Sequence, residues 1–153
     1  MIFDRTQNDV DAAVILITEK AQTGAELTEQ ETDILEKGTL TINTLNRIES
    51  KTAELKALFD DIGYYAGNVT VKAWEYSQIF GIEDFERILA NLDVLRRAYY
   101  IYKETPDTPR AKYHFQNIND VEKILFDLET MYQDMKGYVR ECGTFECGEE
   151  NAN

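Results

Sequence analysis

The sequence predicts a mainly α protein: a compact bundle of three long helices with two shorter helices ahead of it. Three observations carry this. Apolar residues recur at steps of three and four through residues 42–62, 83–103 and 118–139, which places each set on one helical face. Threonines stand at starting positions, Thr6 with acids in the turn that follows and Thr28 with Glu31 at capping-box spacing. Both prolines fall within ETPDTPRAKYHFQN, so each periodic stretch is clear of a helix breaker. Stripes repeating near every 3.5 residues bury one another most economically as a bundle.

In chain order, Thr6 caps a first helix over TQNDVDAAVILITEKAQTG, with Asp9 and Asp11 near the positive end of its dipole and Gly24 ending it. Val10, Ala13, Val14, Ile17 and Ala21 form its expected buried stripe. LTEQETDILEKG is a short second helix with Thr28 and Glu31 at capping-box spacing and a stop at Gly38. Thr41 then caps the clearest helix. Leu45, Ile48, Leu55, Phe59 and Ile62 line one face, Thr52 fills the gap, and Gly63 is placed for a left-handed stop.

Beyond it, Val69, Val71 and Ala73 alternate with Thr70, Lys72 and Trp74, a period of two that predicts a short β segment around residues 69–75. Helical spacing returns from Glu83 to Lys103 through Phe85, Ile88, Leu89, Leu92, Leu95, Tyr99 and Tyr102. The proline-bearing connection follows, and its AKYHF part, residues 111–115, is expected to be extended and to pair with the strand near Val71. The last helix carries the most regular stripe: Ile118, Val121, Leu125, Leu128, Tyr132, Met135 and Val139. Asn119 and Glu122 stand at capping-box spacing, with Gln116 or Asn117 as rival caps. Residues 1–139 are thus read as one helical domain, and 140–153 as a hairpin-like or extended tail whose last residues are disordered.

A net charge of −13, from 29 acids against 16 bases, argues against nucleic acid, whose phosphates demand a basic footprint. The longest apolar run, Ala12 to Ile17, is far below the ~18 residues of a membrane span. The opening MIFDRTQND is no basic leader, so synthesis in the cytoplasm and no membrane partner are expected.

No catalytic constellation emerges. His114 is the sole histidine and lies between Tyr113 and Phe115 with no nucleophile context. Cys142 and Cys147 form a C-x4-C pair without further Cys or His to complete a zinc site, so free thiols lead over a disulfide and over a metal. No Gly-rich phosphate loop is present. The expectation is therefore no enzyme, no cofactor and no metal. Arg47, on the edge of the third helix beside Glu49, is expected to pair with a carboxylate of a neighbouring helix or subunit. Trp74, Tyr76 and the cluster Tyr99, Tyr100, Ile101, Tyr102 are candidate contact aromatics for a subunit or a sugar.

Several phrases together resemble tail-associated structural proteins of phages and prophages of Firmicutes. They are DRTQNDVDAA, GTLTINTLNRIES, GYYAGNVTVKAW, FERILANLDVLR, ETPDTP, INDVEKILFDLE and CGTFECGE, in that order. Leu45, Asn46, Arg47, Ile48 and Glu49 match the L-N-R-I-E phrase of that group. Cys142, Gly143, Cys147, Gly148 and Glu149, around Phe145, match its paired Cys-Gly ending. The resemblance implies a non-enzymatic virion component, an assembly or adaptor subunit near the baseplate, distal tail or fibre attachment. Its implied partners are other tail proteins, with homo-oligomerisation a further option. The competing expectation is a binding module for a host surface glycan or protein, acting through Trp74, Tyr76, Tyr99 and Tyr102.

Overall fold

The computed structural model describes residues 1–65, 67–98, 102–112 and 114–142, excepting the side chains of residues 98 and 137–142. Among the described residues there are five helices and no strand: α1 (Gln7–Thr23), α2 (Glu29–Gly38), α3 (Ile42–Asp61), α4 (Ile82–Ala98) and α5 (Phe115–Cys142).

The stripes of the three long helices close over one another. Leu45, Ile48, Leu55 and Phe59 of α3 meet Phe85, Ile88, Leu92 and Leu95 of α4, and Val121, Leu125 and Leu128 of α5, in one core. Thr52 sits in that core because its hydroxyl donates to the Ile48 carbonyl at 2.8 Å, leaving the methyl to face apolar neighbours. Phe59 of α3 and Tyr132 of α5 meet edge to face, centroids 6.3 Å apart.

Local signals set the boundaries. Thr6 and Thr28 close reciprocal capping boxes with Asp9 and Glu31, and the Thr41 hydroxyl accepts the Thr44 N–H at 3.1 Å. Gly24 (φ 64°) and Gly63 (φ 84°) take the left-handed conformation. Gly38 has another reason to be glycine. A Cβ there would lie 2.2 Å from the Asp9 carbonyl oxygen and 2.4 Å from the Ala13 Cβ, so α1 and α2 approach closely at this point.

Three expectations are corrected. The 69–75 segment forms no strand; two asparagine amides take backbone groups of Thr70 and Trp74 instead. Asn46 accepts the Trp74 N–H at 2.8 Å and donates to the Trp74 carbonyl at 3.1 Å. Asn91 does the same with Thr70, at 3.0 and 2.8 Å. Nor does the alternation set one buried face: Val69 packs on the core and Trp74 is buried, while Thr70, Val71 and Ala73 are exposed. Residues 111–115 form no strand either. The N–H groups of Lys112 and His114 bond carbonyls two residues back, which turns the chain tightly into α5 at Phe115.

Element ends shift as well. α4 is described to Ala98, short of the expected Lys103, and Tyr102 lies outside it. α5 begins before Asn119 and Glu122, so these are not its capping box: His114 precedes it, its Nδ1 accepting the Gln116 N–H at 3.3 Å. α5 runs on to Cys142, through the first residues assigned to the tail; residues 143–153, with Phe145 and Cys147, lie outside the described residues.

Candidate functional site

The α1–α2 hairpin stands apart from the core. α1 and α2 pack chiefly on each other, and neither contributes a side chain to the core shared by α3, α4 and α5. Of the stripe expected for α1, Ala13 is buried and Val10 half-buried, and Leu16, three residues beyond Ala13, completes the inward face. Val14 and Ile17 turn outward instead, 55% and 48% exposed, with Ile15 at 59% and Ala21 also exposed. Ile34 of α2 and Leu27 of the connection add to the exposed apolar surface. The stripe is real, but no described part of this chain covers it. Solvated clusters of this kind mark places where another molecule sits.

The hairpin surface is acidic: residues 7–38 hold eight acids against Lys20 and Lys37. Its few cations are engaged. Lys20 reaches Glu31 at 2.7 Å across the two helices, and Lys37 lies 3.3 Å from Asp4 and 3.5 Å from Asp9. The Lys20 ammonium and the Thr28 backbone N–H lower the Glu31 carboxyl from its ordinary 4.5 to about 2. The Thr6 hydroxyl and N–H lower Asp9 in the same sense.

Of the predicted contact residues that are described, Arg47, Glu49 and Trp74 turn inward. Arg47 finds its carboxylate on a neighbouring helix: Nε donates to Glu122 Oε1 of α5 at 2.8 Å. Glu122 is fully buried and its other oxygen takes Arg5 Nη1 at 2.5 Å. Glu49, 3% exposed, accepts from Arg87 of α4 and from the Trp74 indole at 3.2 Å. That charge pair raises the Arg87 pKa. Trp74 is buried, stacked edgewise on Phe80 at 5.3 Å with the Lys72 ammonium 3.8 Å from its ring centroid. It offers no open face to a sugar, which corrects its reading as an exposed aromatic. Tyr76, at 92%, is exposed beside Ile79 at 90%. Tyr102 is half-buried and its hydroxyl donates to Asp134 of α5. Tyr99 lies outside the described residues, as does the side chain of Cys142.

A pocket of about 290 Å³ opens where the hairpin joins the bundle, lined by Arg5, Gln7, Val10, Gly38, Thr39, Leu40, His114, Phe115 and Ile118. Among the described residues no carboxylate lines it. Arg5 is 5% exposed, and Asn119 fixes its backbone with the same two-way amide pairing, at 3.2 and 2.9 Å. Its Nη1 serves Glu122, Asn119 and the Ile2 carbonyl, while Nε and Nη2 have no hydrogen-bond partner among the described residues. Orphaning a buried donor costs on the order of 1–3 kcal/mol. The described residues contain no group of three or more His, Cys, Asp or Glu placed to hold a metal ion, and no described helix is long and apolar enough to cross a membrane.

Comparison with protein-family models, with curated proteins and with solved structures finds no match to this chain.

Sequence reasoning pointed to the third helix and the aromatic clusters and missed the hairpin face and the pocket. A signal for the first was present: in AAVILIT the apolar run is too wide for one stripe, so part of it had to face away from α2.

Proposed function

We propose that the chain is a structural assembly subunit, an adaptor whose α3–α5 bundle is the rigid body and whose α1–α2 hairpin docks a neighbouring protein. The observation that carries this reading is the outward stripe of Val14, Ile15 and Ile17 on a hairpin outside the core. The neighbour presents an apolar patch with a basic rim, since a second copy of the hairpin would set acid against acid. The resemblance of the seven phrases supports reading the subunit as part of a phage tail or phage-tail-like particle, near the baseplate or fibre attachment.

The test is the double variant Val14→Asp/Ile17→Asp, expressed in place of the native chain. Both side chains are about half in solvent, so the helix content by circular dichroism should be unchanged while incorporation into particles is lost. Normal incorporation would overturn the docking role of the hairpin. Deleting residues 140–153 should likewise leave the bundle folded and reduce incorporation, if the Cys-Gly ending also contacts a neighbour.

Host-surface binding is a second reading, supported by the exposure of Tyr76 and Ile79 on one loop. Under it, Tyr76→Ala weakens adsorption of assembled particles and leaves their assembly intact; equal adsorption would remove it.

A further inference from the structure

We propose that the pocket at the root of the hairpin is a carboxylate-binding site, with the Arg5 guanidinium as its anchor. A guanidinium offers planar pairs of N–H groups, and the Nε/Nη2 edge is one that matches the two oxygens of a carboxylate side by side. In Arg5 this edge is the unpartnered one, because Nη1 alone serves Glu122, Asn119 and Ile2. The residue is rigidly held: its backbone is clamped by Asn119 and its side chain is buried.

The local charge points the same way. Glu122 is one buried carboxylate facing two guanidiniums, Arg5 and Arg47, so the cluster carries one excess positive charge. An anion that reached the Nε/Nη2 edge would neutralise it and satisfy both orphaned donors at once. The remaining wall is chiefly apolar, from Val10, Leu40, Phe115 and Ile118, so the ligand carries an apolar body. A volume of about 290 Å³ admits a group the size of one large amino-acid residue. The ligand class is therefore a monocarboxylate with a compact apolar body, either a free organic acid or the terminal carboxylate of another chain. Both nitrogens are screened from solvent, so entry involves a rotamer change among the pocket side chains.

The test uses the full chain, ¹⁵N-labelled, titrated separately with benzoate, N-acetylphenylalanine, N-acetylphenylalaninamide and sodium sulfate. The expected result is saturable shifts at the amides of Gln7, Val10, Leu40 and Ile118 with the two carboxylates, and at least tenfold weaker binding of the amide and of sulfate. Tighter binding of N-acetylphenylalanine than of benzoate assigns the site to a chain end, and the reverse order assigns it to a free acid. Arg5→Lys keeps the charge but loses the fork, and should lose most of the affinity. Because that variant disturbs the Glu122 network, Val10→Phe provides the second arm: it fills the pocket, replaces no polar group and should abolish binding in a folded chain. Absence of saturable shifts with either carboxylate, binding of sulfate or the amide as tight as that of the acids, or undiminished binding by Val10→Phe overturns the proposal.

Discussion

Asparagine does the same work three times in this fold. Asn46, Asn91 and Asn119, one on each long helix, each hold the N–H and the carbonyl of a single extended residue: Trp74, Thr70 and Arg5. A carboxamide presents a donor and an acceptor at the spacing of a backbone peptide, so it replaces a strand partner one residue at a time. Asn91→Ala should therefore destabilise by about 1–3 kcal/mol, because the Thr70 N–H loses its acceptor while Arg87 still serves the carbonyl. Asn91→Asp should be no milder, since its carboxylate faces that carbonyl. Urea midpoints of the two variants check both statements, and a wild-type midpoint for Asn91→Ala would show that water replaces the amide. The buried Glu49 makes a sharper case. Arg87→Ala leaves its charge without its main partner and should cost on the order of 3 kcal/mol. Glu49→Gln/Arg87→Ala should recover part of that loss, and a double-mutant cycle by chemical denaturation measures the coupling.

At the scale of elements, the hairpin depends on a close approach and on one cross-helix ion pair. Gly38→Ala sets a methyl against the Asp9 carbonyl and Ala13, so the helices must part; a loss of about 1–3 kcal/mol is expected. The pH dependence is set by Glu31. Its carboxyl titrates near 2 in the folded chain against an ordinary 4.5, so the folded state holds the charged form more tightly. Its contribution is fully present above about pH 4.5 and disappears as pH falls toward 2. The stability difference between the native chain and Glu31→Gln should thus be largest at neutral pH and shrink through that window, as denaturation midpoints measured pH by pH will show. A constant difference would mean that Lys20 and Thr28 do not discriminate the charged form.

For the whole molecule, the division between bundle and hairpin predicts uneven stability. Amides of α3, α4 and α5 are tied to one apolar core, whereas α1 and α2 lean mainly on each other. Native-state hydrogen exchange should find the α1–α2 amides opening at lower free energy than those of α3–α5. Protection equal across all five helices would mean that the hairpin unfolds only with the bundle. Binding of a partner over Val14, Ile15 and Ile17 should raise α1 protection selectively.

Much of this was legible before any coordinates. The threonine caps at Thr6, Thr28 and Thr41, the left-handed glycines Gly24 and Gly63 and most of the stripes of the three long helices are local chemistry that depends on residues within a turn or two of one another and lies where the spacing placed it, whereas Gly38 is the last residue of α2, which Thr39 caps. The alternation at 69–75 predicted a strand that the described residues do not form. It was misread as a strand because a strand is defined by a neighbour, and the neighbours here are Asn46 and Asn91, far along the chain. Glu122 was taken for a cap on spacing alone, but burial against Arg5 and Arg47 decided its role. By itself, then, the sequence determined which segments are helical, where most of them start and stop, and which face of each long helix is apolar. Only the tertiary structure decided that the α1 stripe divides between α2 and solvent, that the Arg47, Glu49 and Trp74 side chains turn inward, and that Arg5 keeps an unpaired edge beside a pocket. Helix propensity and capping act over a few residues, whereas which polar group meets which, and which apolar face is left uncovered, depends on contacts between residues distant in the chain.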